Sequence, residues 1–136
     1  MKSAPTGSTY KPPGIRGRQF VLALQWGMHL FQLDEVERRR AGLEWSYLEF
    51  LRVPSLSVAV YSLRAGEEDR QQPHMEDEVY YVASGRASIQ VGDEDQVVRT
   101  GSIVFVPARV EHRFHDIAED LSLIVFFAPA EGTASA

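Results

Sequence analysis

The chain contains no cysteine. That absence removes disulfides and thiolate metal sites together, so any bound metal must be held by histidine, aspartate, glutamate, amide oxygens or water. It also fits a reducing compartment, and a cytoplasmic location is the expectation. Basic charge is short as well: 14 Lys and Arg stand against 19 Asp and Glu, for a formal net charge of -5. This balance favours solubility and offers no basic surface for nucleic acid or anionic lipid, so the expected partner is a small-molecule ligand or substrate. No apolar run approaches the ~20 residues of a membrane span. The nearest, RGRQFVLALQWGMHLF, is interrupted early by Gln25 and has no small-residue cleavage site after it, so it reads as neither signal nor anchor. No internal repeat at a fixed period is visible.

What is present is enough for one core. The 136 residues are 44% hydrophobic and 24% charged, ordinary values for one soluble globular domain. The first 19 residues mix prolines and glycines with polar and basic groups, the composition of a flexible leader. Residues 1–27 are therefore expected to be an extension, 28–129 a single domain with its core over about 46–128, and the small, polar 130–136 a fraying tail. LDEVERRRAG, Leu33 to Gly42, reads as one short helix, with Asp34 capping its start, ERRR as its wet face and Gly42 stopping it.

From Ser46 the period changes. Short runs rich in Val, Ile, Tyr and Phe alternate with Gly, Pro and Asp, and no helical pattern intervenes. EVYYVAS and RASIQV, separated by Gly85, read as two strands, as do EHRFHDI and LSLIVFF; VGDEDQ reads as a hairpin turn. About eight short strands predict an antiparallel sandwich or barrel.

The segment QQPHMEDEVYYVASG poses the functional question. On one straight strand, positions 74 and 78 would lie ~13 Å apart at ~3.3 Å per residue, too far to share a metal. Pro73 and MEDE permit a turn that brings His74 and Glu78 together, while Gln72 and His74, two apart, would share a face. Glu76 and Asp77 read as solvated turn acids. Tyr80 shares Glu78's face, where it packs the barrel or serves as a weak acid/base candidate. Later, His112 and His115 point to opposite faces of an extended strand, and if His112 looks inward, Phe114 and Asp116 share its side. Phe105, Phe114 and Phe126 read as core or pocket wall.

These residues resemble the two motifs of the cupin superfamily, G-x5-H-x-H-x3,4-E-x6-G and G-x5-P-x-G-x2-H-x3-N. The first reads here as Gly66, five residues, Gln72, Pro73, His74, three residues, Glu78, six residues, Gly85. The second reads as Gly101, five residues, Pro107, Ala108, Arg109, two residues, His112, three residues, Asp116. Spacing holds throughout. The identities depart at Gln72, where the family has histidine, at Arg109, where it has glycine, and at Asp116, where it has asparagine.

The resemblance, over residues 46 to 128, implies an all-β double-stranded β-helix, a jelly-roll barrel preceded here by the short helix. It further implies one divalent transition metal ion held by His74, Glu78 and His112, with Gln72 as an assisting amide. Two imidazoles and a carboxylate suit Fe, Mn, Ni, Co or Zn. The leading expectation is a metal-dependent dioxygenase or other oxidoreductase acting on a small organic substrate. The alternatives are a non-catalytic ligand-binding module and a sugar isomerase or epimerase, the last lacking an evident acid and base pair. Because LSLIVFF and SIVFV are apolar on both faces, an edge or outer face covered by a second subunit or by the N-terminal segment is expected, and a homodimer is predicted.

Overall fold

The computed structural model describes residues 27–135. Residues 1–26, which hold most of the expected extension, lie outside them. Helix α1 spans Leu33–Gly42, as its charge pattern predicts, with Asp34 and Glu35 in the first turn and Arg39 and Arg40 in the last. Asp34 is not the cap. Gln32 takes that position with extended backbone and makes no side-chain capping bond. ERRR is also less uniformly wet than its charge suggests: Arg40 is 16% exposed and donates to Glu37 and to the Trp45 carbonyl. No helix among the described residues is long and apolar enough to cross a membrane.

Six antiparallel strands follow: β1 (Tyr47–Val53), β2 (Leu56–Leu63), β3 (Asp77–Val91), β4 (Glu94–Arg99), β5 (Ile103–Val106) and β6 (His112–Ala128). They form one sheet in the order β1-β2-β6-β3-β4, with β5 also paired to β3. Tyr47, Tyr61, Tyr80, Val98, Val106 and Phe114, one from each strand in turn, belong to a single buried cluster, so the sheet is rolled around one core. A second cluster lies on the outside of β1, β2 and β6. There Leu48, Phe50, Val58 and Val60 pack with Ile124 and Phe126 beneath Val36 of α1 and the Phe31 ring. The outer face of LSLIVFF is thus covered by the chain's own helix, one of the two coverings expected. Phe105 is not core: it is 58% exposed on the outside of β5.

Four expected strands merge into two long ones, and the reason is local. The first half of β3 pairs with the second half of β6 and with β5, while its second half pairs with the start of β6 and with β4. Strands this long can serve two parts of a rolled sheet only by bending, and the β3 and β6 pairing shifts register repeatedly between Val82 and Ser88. Gly85 sits at that bend with φ 106°, and a Cβ there would lie 2.2 Å from the Asp120 carbonyl oxygen. It is a bulge, not a chain reversal. A second irregularity at Asp116, φ 47°, breaks the alternation after Phe114, so Asp116 faces solvent and Ile117 turns inward. In the β3 to β4 hairpin, Gly92 takes φ 60° and Asp93 is not left-handed, the pattern of a type II′ turn.

The segment after β6, residues 130–135, is tied to the barrel by hydrogen bonds. Ala130 is fully buried, its N–H donates to Pro54, and Glu131 donates its N–H to Ser57 and accepts from Arg52 at its carbonyl.

Gly85→Ala is expected to lower stability by about 2–4 kcal/mol, because Asp120 is backbone and cannot swing aside; a urea unfolding midpoint equal to wild type would contradict the close approach. His115 is expected to titrate above the ordinary 6.5, since Asp95, 3.0 Å from its Nε2, outweighs partial burial, with Asp116 adding to it. A raised folded-state pKa stabilises the protein fully below the unfolded value and less as pH rises through the folded one. NMR titration should place the His115 midpoint above that of Asp95→Asn, and the stability gap between the two proteins should close as pH rises.

Candidate metal centre

At one end of the barrel, two side chains four residues apart, His74 and Glu78, meet a third from a distant part of the chain, His112. Glu78 is the second residue of β3, where pairing with Val106 and Phe127 points it into the core. His112 opens β6. His74 lies on the irregular segment before β3, with its backbone carbonyl held by the Arg109 N–H at 2.6 Å. The left-handed backbone at Arg109 is the one that glycine, the residue of the resembling motif, adopts most easily. Arg109 sits at φ 71°, a left-handed angle that a side chain makes costly, and it is retained with its guanidinium against Met75 and Ser135.

Each of the three residues offers a ligand atom, all within 4.8 Å of one another. Glu78 Oε1 lies 3.1 Å from His112 Nε2 and 3.4 Å from His74 Nδ1. Ligands bonded at ~2.1 Å to one ion sit ~3.0–3.4 Å apart in octahedral or tetrahedral arrangement, so both separations suit a common metal. The pairs are close without being aligned as hydrogen bonds: His74 Nδ1 and Glu78 Oε1 are buried with no hydrogen-bond partner among the described residues. Buried ligand atoms close together and without hydrogen-bond partners are what a cation site offers.

The tautomer of His112 supports the same conclusion. Its Nδ1 lies 2.9 Å from the Val110 carbonyl, which can only accept, so Nδ1 carries hydrogen. Nε2 then faces two acceptors, Glu78 Oε1 and, at 3.0 Å, Gln71 Oε1. Only a second proton or a metal ion can occupy that gap. Without metal the proton is favoured: burial opposes charge on His112, but Glu78 outweighs it and raises the imidazole above its ordinary value. The same attraction overcomes burial at Glu78 and holds its carboxyl below the usual range.

The amide at the site is Gln71, not Gln72. Gln72 is exposed, in a groove that Gln71 and His112 also line, whereas Gln71 Oε1 lies 3.0 Å from His112 Nε2. Expecting Gln72 and His74 to share a face assumed a strand, but residues 67–76 form none, and strand alternation does not apply. Gln71 is held on both sides: Tyr80 donates to its oxygen at 2.7 Å, and its own amide nitrogen donates to Asp69 at 2.7 Å. Asp69, buried, also accepts from Tyr61 and from the Phe114 N–H. Tyr80 does share Glu78's inward face, as expected, but its acid/base role is not supported. Burial, followed by Glu78, raises its pKa well above 10, so it serves as a fixed donor to Gln71.

The turn acids are not both solvated. Asp77 is exposed and accepts the Ala108 N–H, tying the two motif loops together. Glu76 is buried and accepts the N–H groups of Gly132 and Ala134, each at 3.0 Å. Glu131 reaches the site as well, with Oε2 3.5 Å from His74 Nε2 and Oε1 accepting from Tyr47 at 2.8 Å. The paired glutamines offered a signal for Gln71; no spacing pattern marks Asp69 or Glu131. The space left inside, lined by Tyr61, Gln71, Tyr80, Phe127 and Glu131, is about 10 Å³.

The arrangement defines a class: a small antiparallel β-barrel with a His-Glu-His cluster at one end. Residues 59–127 match the cupin domain family, and the chain belongs to that family. An uncharacterized protein of Streptomyces coelicolor is 53% identical over 104 residues, 76% of this chain and 99% of the relative. Among solved structures, TT1209 of Thermus thermophilus is similar with TM-score 0.60 and 24% identity, covering 76% of this chain and 99% of that one. An RmlC-like cupin of Shewanella frigidimarina follows with TM-score 0.56 and 25% identity over 62% and 75% of the two chains.

Gln71→Ala is expected to weaken Co(II) binding by about tenfold and Gln72→Ala to leave it within about twofold, read by equilibrium dialysis. The reverse order would return the amide to position 72.

Proposed function

We propose that this protein is a cupin that holds one divalent transition metal ion through His74, Glu78 and His112, assisted by Gln71, and acts as a metal-dependent dioxygenase or other oxidoreductase on a small organic substrate. The observation that carries the metal reading is the convergence of three buried ligand atoms, two of them without hydrogen-bond partners. When bound, such an ion supplies Lewis acidity and open positions for oxygen or substrate, and the ligand set is the type used by non-haem Fe(II). Around it, Val110 fixes the His112 tautomer, Asp69 and Tyr80 fix Gln71, and Tyr61, Tyr80 and Phe127 wall the small cavity.

Protein prepared without affinity metals is expected to contain close to one equivalent of a divalent metal, and His74→Ala or His112→Ala to lose most of it by elemental analysis. Unchanged content in both variants would sink the site. Oxygen consumption with Fe(II) across aromatic, thiol and keto acid substrates tests the reaction class. A second reading, a non-catalytic binding module, is favoured by the interior cavity of about 10 Å³, which admits no organic substrate as it stands. Under that reading metal binds and no substrate in the panel raises oxygen uptake.

A homodimer is part of the proposal. With LSLIVFF covered by α1, it rests on β4 and β5, where Val97, Ile103 and Phe105 are 69%, 71% and 58% exposed. Light scattering is expected to give the mass of two chains, and Phe105→Asp to halve it; a wild-type mass of one chain removes the dimer.

A further inference from the structure

The segment after β6 was expected to be a loose tail, yet every backbone N–H from Ala130 to Ala134 donates a hydrogen bond, and two of these run to the loop that carries His74. Gly132 and Ala134 donate to Glu76, which lies between His74 and Glu78 in sequence. Glu131 is held at its backbone by Ser57 and Arg52, and at its carboxylate by Tyr47. Arg52 is itself fixed by both oxygens of the buried Glu49, at 2.9 and 3.1 Å. A position anchored this heavily is built to place a group, and the group is the Glu131 carboxylate, 3.5 Å from His74 Nε2.

The geometry of His74 shows what that placement does. Its Nδ1 faces Glu78 and the convergence point; its Nε2 faces Glu131. For Nδ1 to present a lone pair to a metal, the ring's proton must sit on Nε2, where a carboxylate favours it. The ring also packs at a tilt against Phe127, 4.7 Å between centroids, a contact indifferent to tautomer, and lies 5.6 Å from the His112 ring. Glu131 is thus the group in position to select the ligating tautomer of His74, as the Val110 carbonyl does for His112.

We propose that the segment 130–135 is a strap whose Glu131 is a positioning residue for the metal centre: its carboxylate holds His74 in the ligating tautomer, so that strap docking and metal binding favour each other. The proposal rests on the metal reading above. Coupling is reciprocal: if the docked strap raises metal affinity, bound metal must hold the strap down by the same factor. The strap also closes the site, since Glu131 lines the small interior cavity, so its release enlarges the space beside His74.

The test uses the full chain and Co(II), whose visible spectrum reports the ligand set. Wild type, Glu131→Gln and Glu131→Asp are compared for Co(II) affinity by dialysis, for the d–d spectrum, and for amide hydrogen exchange at Gly132 and Ala134 with and without metal. Glu131→Gln is expected to bind Co(II) about tenfold more weakly with an altered spectrum, Glu131→Asp to recover most of the loss, and metal to slow wild-type exchange at both amides by about tenfold. Circular dichroism keeps a misfolded variant out of the comparison, and the aspartate variant preserves the test if the glutamine variant fails to fold. Wild type that binds Co(II) while Glu131→Gln binds equally well with an unchanged spectrum overturns the strap's role and leaves the metal reading standing. Wild type that binds no Co(II) overturns both.

Discussion

The structure turns on a carboxylate placed where water cannot reach it. Glu78 is almost wholly buried, and an ionised carboxylate in such surroundings costs several kcal/mol unless opposite charge or a metal accompanies it. Two imidazoles supply the company, one from before β3 and one from the start of β6. Everything around the cluster serves to keep them there. The Arg109 N–H holds the His74 backbone, Asp77 pins the Pro107 turn to the metal loop, and the Val110 carbonyl sets the His112 ring. Remove the convergence and the barrel end would hold a buried charge with no counterpart.

The barrel makes that convergence possible by bending two long strands. β3 and β6 run the length of the sheet, and Glu78 and His112 stand at the start of each. Antiparallel strands of such length would carry their first residues to opposite ends if the ladder were flat. The register shifts around Gly85 and the irregularity at Asp116 fold each strand across itself, which rolls the sheet and brings the two starts together. Packing of α1 on the outer apolar face of β1, β2 and β6 then leaves the inner face to the core and the His74, Glu78 and His112 cluster.

Legibility in the sequence followed the range of the interaction. The helix, the change to strand periodicity, the Gly92 turn and the pairing of His74 with Glu78 across a turn were readable, because each depends on residues a few positions apart. Gly85 was recognised as special but read as a chain reversal, since a glycine at positive φ serves a turn and a bulge alike and only the partner strand decides between them. Gln72 was expected beside His74 from motif position and strand alternation, where the backbone has no strand. Asp116 was placed inward by the same rule, and the bulge before Ile117 cancelled it.

The sequence by itself determined the all-β fold class and the absence of thiolate chemistry, and its resemblance to the cupin motifs singled out His74, Glu78 and His112, which the structure brings together. The first two follow from local periodicity and composition, which any chain carries on its face. Tertiary structure alone decided which amide faces the centre, that Glu76 is buried under the strap, and that Glu131 stands beside His74. These depend on contacts between residues far apart in the chain, such as Tyr47 with Glu131, and no local pattern encodes where a rolled sheet will bring distant side chains together.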